Sequence, residues 1–142
     1  MPAFTGRRGD LQARGPTIDV SIAVTAAAEA AFTAAGETLP PPVPVTALID
    51  SGATGNAIAR GVAQQLRLQP VGVVNVSTPS TASVPMPTYA VRLLLPNTIV
   101  LETTAIEAEL ANQGIGALIG RDVLSQAVFV YIGYANEFTI AI

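Results

Sequence analysis

Cysteine, histidine, tryptophan and lysine are all missing from this 142-residue chain. Without cysteine there is no disulfide, no thiol nucleophile and no thiolate metal site. Without histidine, a Ser-His-Asp triad, a Cys-His pair and the usual zinc ligand sets fall away. Any chemistry must therefore run on carboxylates, hydroxyls, tyrosine, arginine or the backbone. Charge is scarce too: 12% of residues are charged against 50% hydrophobic, and the net charge is −3. Such a composition excludes disorder over most of the length. It also leaves few groups to cover a monomer's surface, which favours an oligomer that hides part of the apolar excess. No basic run exists to track a phosphate backbone, so nucleic acid is not expected as a partner. Nor is there a stretch of about 18 uninterrupted apolar residues, which argues against a membrane-spanning helix. Arg7-Arg8 ahead of the Ala-rich 23–35 stretch has the outline of an export signal, but Asp10, Arg14, Asp19 and Glu29 interrupt it. A cytoplasmic location is the default expectation.

The length suits one domain. Residues 1–15 are polar, Gly-containing and aperiodic and read as a flexible leader, which leaves 16–142 as the domain. "TIDVSIAV" (17–24) alternates with period two and predicts a half-buried strand. Residues 25–44 stay open between a short Ala-rich helix and a strand continuing into a loop, ended by Pro40-Pro41-Pro42. "VTALID" (45–50) reads as a short apolar strand. "NAIARGVAQQLRL" (56–68) spaces Ile58, Val62 and Leu66 as on a brief helix. Between 71 and 95, "VGVVNV" and "TYAVRLLL" read as two strands of a hairpin whose extended tip is the Ser/Thr/Pro segment between them. "NTIVLETTAIEAEL" (97–110) continues as strand toward a helical turn at 107–113, and "VFVYIG" and "EFTIAI" form a last hairpin around "YAN". The fold class expected is all-β, with one or two short helices.

One acid stands out. In "ALIDSGATGNAIAR" (47–60) an apolar ascent ends on Asp50, and Ser51-Gly52-Ala53 turns the chain at once. A charge on apolar ground is costly unless paired, hydrogen-bonded or used. Gly52 lets the backbone fold closely enough for its N–H to donate to the carboxylate. Residues 117–122, "ALIGRD", repeat the same ascent into a sharp turn. One carboxylate alone can accept a proton and no more. Two about 3 Å apart cannot both ionise and share one proton, so that one activates water while the other protonates a carbonyl oxygen. The chain has a single Asp so placed, and a two-fold homodimer would supply the second.

The chain resembles the retropepsin-like (retroviral-type, single-domain) aspartic proteases. "LIDSGA" (48–53) matches that family's hydrophobic-hydrophobic-Asp-Thr/Ser-Gly-Ala signature, and "LIGRDVL" (118–124) its aliphatic-Ile-Gly-Arg-Asp/Asn-hydrophobic-Leu run. The resemblance implies a closed β-rich half-barrel with the active site at the homodimer axis and Asp50 as catalytic residue. Ser51 would supply the hydroxyl that bonds across the dimer, and Gly52 and Ala53 the floor of the active-site loop. Gly120, Arg121 and Asp122 would support that loop from beneath. Segment 76–88, tipped by Ser77, Thr78, Pro79, Ser80 and Thr81, would be the flap over a peptide or protein substrate, and strand 137–142 would enter the intersubunit sheet. No metal and no cofactor are implied.

Three features depart from the family pattern. Thr54 stands where the retroviral enzymes often carry an acid that pairs with the arginine, so Arg121 needs another partner or only backbone carbonyls. The flap tip has proline in place of glycine, and Ser51 replaces the commoner threonine. Each residue also has a plainer reading: Asp50 as a turn cap, Arg121 and Asp122 as a surface pair opening a helix, 77–83 as a solvated loop, and Glu102, Glu107 and Glu109 as a solvated face. A catalytically inactive dimerisation or peptide-binding module is the alternative to an endopeptidase.

Overall fold

The computed structural model describes residues 1–78 and 80–142, with the side chains of residues 78 and 81 left out of the description. Ten strands carry the chain: β1 (Ala3–Arg7), β2 (Thr17–Ala23), β3 (Val43–Ile49), β4 (Asn56–Ala59), β5 (Pro70–Thr78), β6 (Thr81–Leu94), β7 (Val100–Ala108), β8 (Ala117–Ile119), β9 (Val128–Ile132) and β10 (Glu137–Ala141). Four short helices interrupt them: α1 (Leu11–Arg14), α2 (Ala26–Ala34), α3 (Val62–Gln65) and α4 (Arg121–Leu124). Strands β2 to β8 form one sheet in the order β2-β3-β8-β4-β7-β6-β5, and β2 also pairs with β6, closing six of the strands into a ring from which β5 hangs. The expected closed, all-β architecture is what the chain adopts. Among the described residues no helix is long and apolar enough to cross a membrane.

The internal repeat has a physical meaning. Strands β3 and β8 run parallel with Ala47 against Ala117, Leu48 against Leu118 and Ile49 against Ile119. Strands inside a closed sheet need near-continuous apolar sequence: Ala47, Ile49, Ala117 and Ile119 on one face are buried, and Leu48 and Leu118 on the other are half-buried. Asp50 and Gly120 therefore leave the sheet at the same level.

The first fifteen residues, expected as a mobile leader, are instead built into the domain. Strand β1 pairs antiparallel with β10, and Leu11 of α1 is 1% exposed in the core. Phe4 and Phe129 pack on the buried Phe138 ring, with centroids 6.2 and 6.4 Å away. A Cβ on Gly6 would lie 2.5 Å from that ring, so glycine is needed where β1 crosses it. The terminal strand is also corrected: β10 is the middle of a three-stranded sheet, β1-β10-β9, with both edges already occupied within the chain. It has no free edge to give to an intersubunit sheet.

Two further expectations change. The helix over 56–68 is split into β4 and α3, because Gly61 takes φ 93° and turns the chain. Asn56, Ala57 and Ile58 are buried in succession, and a fully buried strand does not show the alternation that betrays a half-buried one. The open segment 25–44 resolves to helix α2, capped by the Thr25 hydroxyl accepting from the Ala28 N–H at 3.2 Å. In the hairpin, strand pairing continues through the Pro-rich part: Pro85 faces Asn75 and Pro87 faces Val73. Those prolines are tolerated because β7 pairs with β6 only from Thr88 onward, leaving their edge open.

Leu11→Ala should destabilise the domain by about 2–5 kcal/mol, the usual cost of a buried leucine truncation. Thermal unfolding reads it; a change within about 0.5 kcal/mol would mean that the opening residues are an appendage.

Candidate active site

Asp50 sits at the end of β3, half-buried. Its backbone N–H donates to the Ile119 carbonyl at 2.8 Å, which fixes the turn to β8. The Gly52 N–H donates to the Asp50 Oδ1 at 2.8 Å, and Ala53 N–H to the Asp50 carbonyl at 3.2 Å. A side chain on Gly52 would come within 3.0 Å of that same Oδ1. One carboxylate oxygen is thus pinned by the loop, while Oδ2 accepts no hydrogen bond among the described residues.

The loop is held from below by two residues. Arg121 donates from Nη1 to the carbonyls of Ser51 (3.0 Å) and Gly52 (3.2 Å) and from Nη2 to the Thr54 hydroxyl (3.3 Å). The Arg121 backbone N–H donates to the Ala53 carbonyl at 2.9 Å, and that of Asp122 to the Thr54 carbonyl at 3.1 Å. Four successive carbonyls, Ser51 to Thr54, are satisfied in this way. Gly120 allows the approach, since a Cβ there would overlap the Gly55 carbonyl oxygen. Thr54, in the place of the family's acid, serves the arginine as a neutral acceptor.

Asn56 is the residue that the sequence reading missed. It is 6% exposed, and its side chain is saturated with bonds. Nδ2 donates to Asp122 Oδ2 (2.7 Å), Thr103 Oγ1 (2.9 Å) and the Thr104 carbonyl (3.1 Å), while Oδ1 accepts from the Gly120 N–H at 2.8 Å. Asp122 is therefore no surface partner of Arg121: its Oδ2 faces Asn56, and its Oδ1 accepts from the Val123 N–H at 2.8 Å. The signal available was a lone amide heading the apolar run Ala57-Ile58-Ala59, because a buried amide must find partners.

The structure brings Asp50, Ser51, Gly52, Ala53, Gly120, Arg121 and Asp122 together, and sets the flap candidates apart. Ser77 lies near the end of β5 and Ser80 in the turn, at the end of the hairpin beyond the last β6–β7 pair; Pro79 and the side chains of Thr78 and Thr81 lie outside the described residues. Ser51 is exposed, and its hydroxyl has no partner among the described residues. A depression of about 710 Å³ beside Arg8, Arg14, Thr46 and Leu48, and another of about 410 Å³ beside Phe32, Leu66 and Val71, are not lined by Asp50. The three glutamates expected on a solvated face each tie elements together. Glu102 accepts from the Ala26 N–H at 2.7 Å, Glu107 from the Ala63 N–H at 3.1 Å, and Glu109 pairs with Arg60 at 3.2 Å.

Asn56→Ala should cost about 2–4 kcal/mol, because it strands the buried Gly120 N–H and leaves Asp122 Oδ2 only the longer bond from the Thr103 hydroxyl at 3.4 Å. Thr103→Val, which removes one of several partners, should cost about 1 kcal/mol. Chemical denaturation of the two variants checks the order; equal effects would contradict the hub role of the amide.

Residues 30–123, well over half the chain, match the family model described as aspartyl protease. No curated protein sequence matches the chain. Among solved structures, a retropepsin-like aspartic protease from Rickettsia conorii is similar with a TM-score of 0.57 at 12% identity, over 97% of this chain and 89% of that one. EIAV protease, solved with the inhibitor HBY-793, gives 0.48 at 17% identity over 84% and 92% of the two chains. The retroviral protease-like domain of Ddi1 from Leishmania major gives 0.45 at 16% identity over 87% of each. The chain belongs to the aspartyl protease family and has a retropepsin-like fold.

Proposed function

We propose that the chain is an aspartic endopeptidase active as a homodimer, with Asp50 of each copy forming the catalytic pair. The observation that carries this reading is Asp50 itself. Its loop holds one oxygen rigidly and leaves the other without a hydrogen bond among the described residues. A lone carboxylate has no partner to act as acid while it acts as base.

Paired across a two-fold axis, the two carboxylates share one proton and hold one water. One carboxylate takes a proton as the water oxygen attacks the peptide carbonyl carbon, and the other delivers its proton to the carbonyl oxygen. The tetrahedral diol then collapses: the C–N bond breaks, the amine nitrogen takes the proton held by one carboxyl group, a diol hydroxyl gives its proton to the other, and the dyad is left with one proton as at the start. No metal or cofactor enters this cycle. Arg121, Asp122 and Asn56 act as positioning residues, since what they hold is the loop. The Ser51 hydroxyl has the exposure to bond across the axis. Hairpin β5–β6 serves as the flap. Val73 and Val74 are adjacent and both exposed, so both of its faces are apolar, which suits an extended substrate with apolar residues about the cut. The second reading, an inactive peptide-binding module, rests on the proline-bearing, glycine-free flap tip.

Asp50→Asn should abolish cleavage of a mixed peptide library, lowering it by about a thousandfold or more, while dimerisation persists. A 1:1 mixture of wild type with Asp50→Asn at fixed total concentration should retain about a quarter of full activity if each site needs both copies, and about half if each chain works alone. A statine-type hydroxyl peptide, which mimics the diol, should inhibit. Equal inertness of wild type and variant, with peptide still bound, would establish the binding module instead.

A further inference from the structure

The arginines of this chain are not equally provided for. Arg7, Arg14, Arg60, Arg67 and Arg92 each reach a carboxylate, and Arg121 is spent on the loop after Asp50. Arg8 pairs with no acid among the described residues. It is half-buried, its Nε donates to the Thr17 carbonyl at 3.2 Å, and neither Nη has a hydrogen bond among the described residues. A guanidinium partly out of water, with its two outer nitrogens unmet, is a ready receptor for a carboxylate. Arg8 lines the depression of about 710 Å³ that Arg14, Thr46, Leu48 and the turn at 111–115 also bound. Asp10 is the one acid among its described lining residues, and Arg14 takes it up at 3.3 Å. Asp19 accepts from the Thr46 hydroxyl at 3.4 Å but opens on a separate depression beside Pro44.

The depression lies on the same side of the sheet as Asp50. Along β3, Ala47 and Ile49 turn into the core and Thr46 and Leu48 away from it, and Asp50 is the next position on that outer side. At about 3.3 Å per residue, Leu48 lies about 7 Å and Thr46 about 13 Å from Asp50 along the strand. An extended peptide advances by the same step. A chain whose scissile bond sits at Asp50 therefore brings a residue about two to four places from the cut within reach of the depression. We infer that Arg8 receives an acidic side chain of the substrate there, its free Nη groups donating to the Asp or Glu carboxylate. The inference rests on the endopeptidase reading above and names the substrate class that site would select, apolar about the bond and acidic farther out. A carboxylate tethered to a chain already held at Asp50 gains an effective concentration that a free small anion lacks, which is why a peptide is the occupant assigned.

The test compares peptides that differ only by Glu or Gln at one position, moved stepwise along either side of the cut. It reads kcat/KM with the wild-type chain and, free of turnover, fluorescence-anisotropy binding to Asp50→Asn. Glu should be preferred over Gln about tenfold at one of the positions two to four residues out, in both readouts. Arg8→Gln should bring that ratio close to one, and Arg8→Lys should keep part of it, since the charge remains while the fork is lost. Arg7→Gln, the neighbouring arginine that pairs with Glu137 and does not line the depression, should leave the ratio as it is. Asp10→Asn removes the opposing charge and frees Arg14, so the ratio should rise. Should circular dichroism show Arg8→Gln unfolded, Asp10→Asn and the decline of the wild-type ratio with added salt decide, and indifference to both overturns the inference. If peptides are cleaved with Glu and Gln treated alike, the role of Arg8 is wrong and the endopeptidase stands. If nothing is cleaved but Glu peptides still bind in an Arg8-dependent way, the endopeptidase falls and acidic-peptide recognition stands. Neither cleavage nor a Glu preference in binding would overturn both.

Discussion

Four carbonyl oxygens in a row, none of them met from within its own loop, set the main constraint on this molecule. Residues 51–54 turn so sharply after Asp50 that their acceptors cannot be met by regular pairing, and because Ser51, Gly52 and Thr54 are exposed it is protein donors in place of water that fix the loop's shape. Arg121 and the start of α4 supply the donors. That requirement explains the neighbouring choices. Gly120 leaves room for the approach, Asn56 ties the underside of the turn to β7, and parallel strands β3 and β8 hold both turns at one height. A loop held by a rigid guanidinium fork and by backbone N–H groups has little freedom to drift, which the action proposed for Asp50 on a bound water would need.

Arginine is the sole cation of the chain, and each of the seven is engaged in the structure. Arg8 donates to the Thr17 carbonyl, Arg92 spans Glu29 on α2 and Glu102 on β7, and Arg67 both pairs with Glu37 and covers the Phe32 ring at 5.1 Å. Exposed ion pairs contribute little to stability individually. Their planar, multi-donor geometry does fix which segments lie together, which a flexible ammonium would do less well. The helix α2, with no buried residue of its own, is held against the barrel largely by such contacts and by Phe32.

What could be read directly from the sequence was local. Asp50-Ser51-Gly52 announces a turn that must capture a carboxylate, and the echo of Ala47–Ile49 in Ala117–Ile119 is visible because the two strands are neighbours under the same burial. The β-rich class followed from alternation in β2 and in the β9–β10 hairpin. What escaped depends on distant partners. Nothing near Phe4 or Gly6 signals a strand, because the ring that orders them is Phe138. Asn56 looks like any loop amide until β4, β7 and β8 surround it. The split of 56–68 was hidden because burial on both faces erases periodicity, and only Gly61 hinted at the break.

Strand β1 is made well before β10, yet Ala3 and Phe4 lie against Ala141 and Ile140. It must stay unpaired while the barrel strands β2 to β8 are synthesised and find one another. Contacts of such long sequence separation are slow to form. The small sheet therefore cannot be completed before β10 has been delivered, and only then does β9 rest on a finished support. The chain thus puts its central barrel together before the sheet that joins β1 to β10.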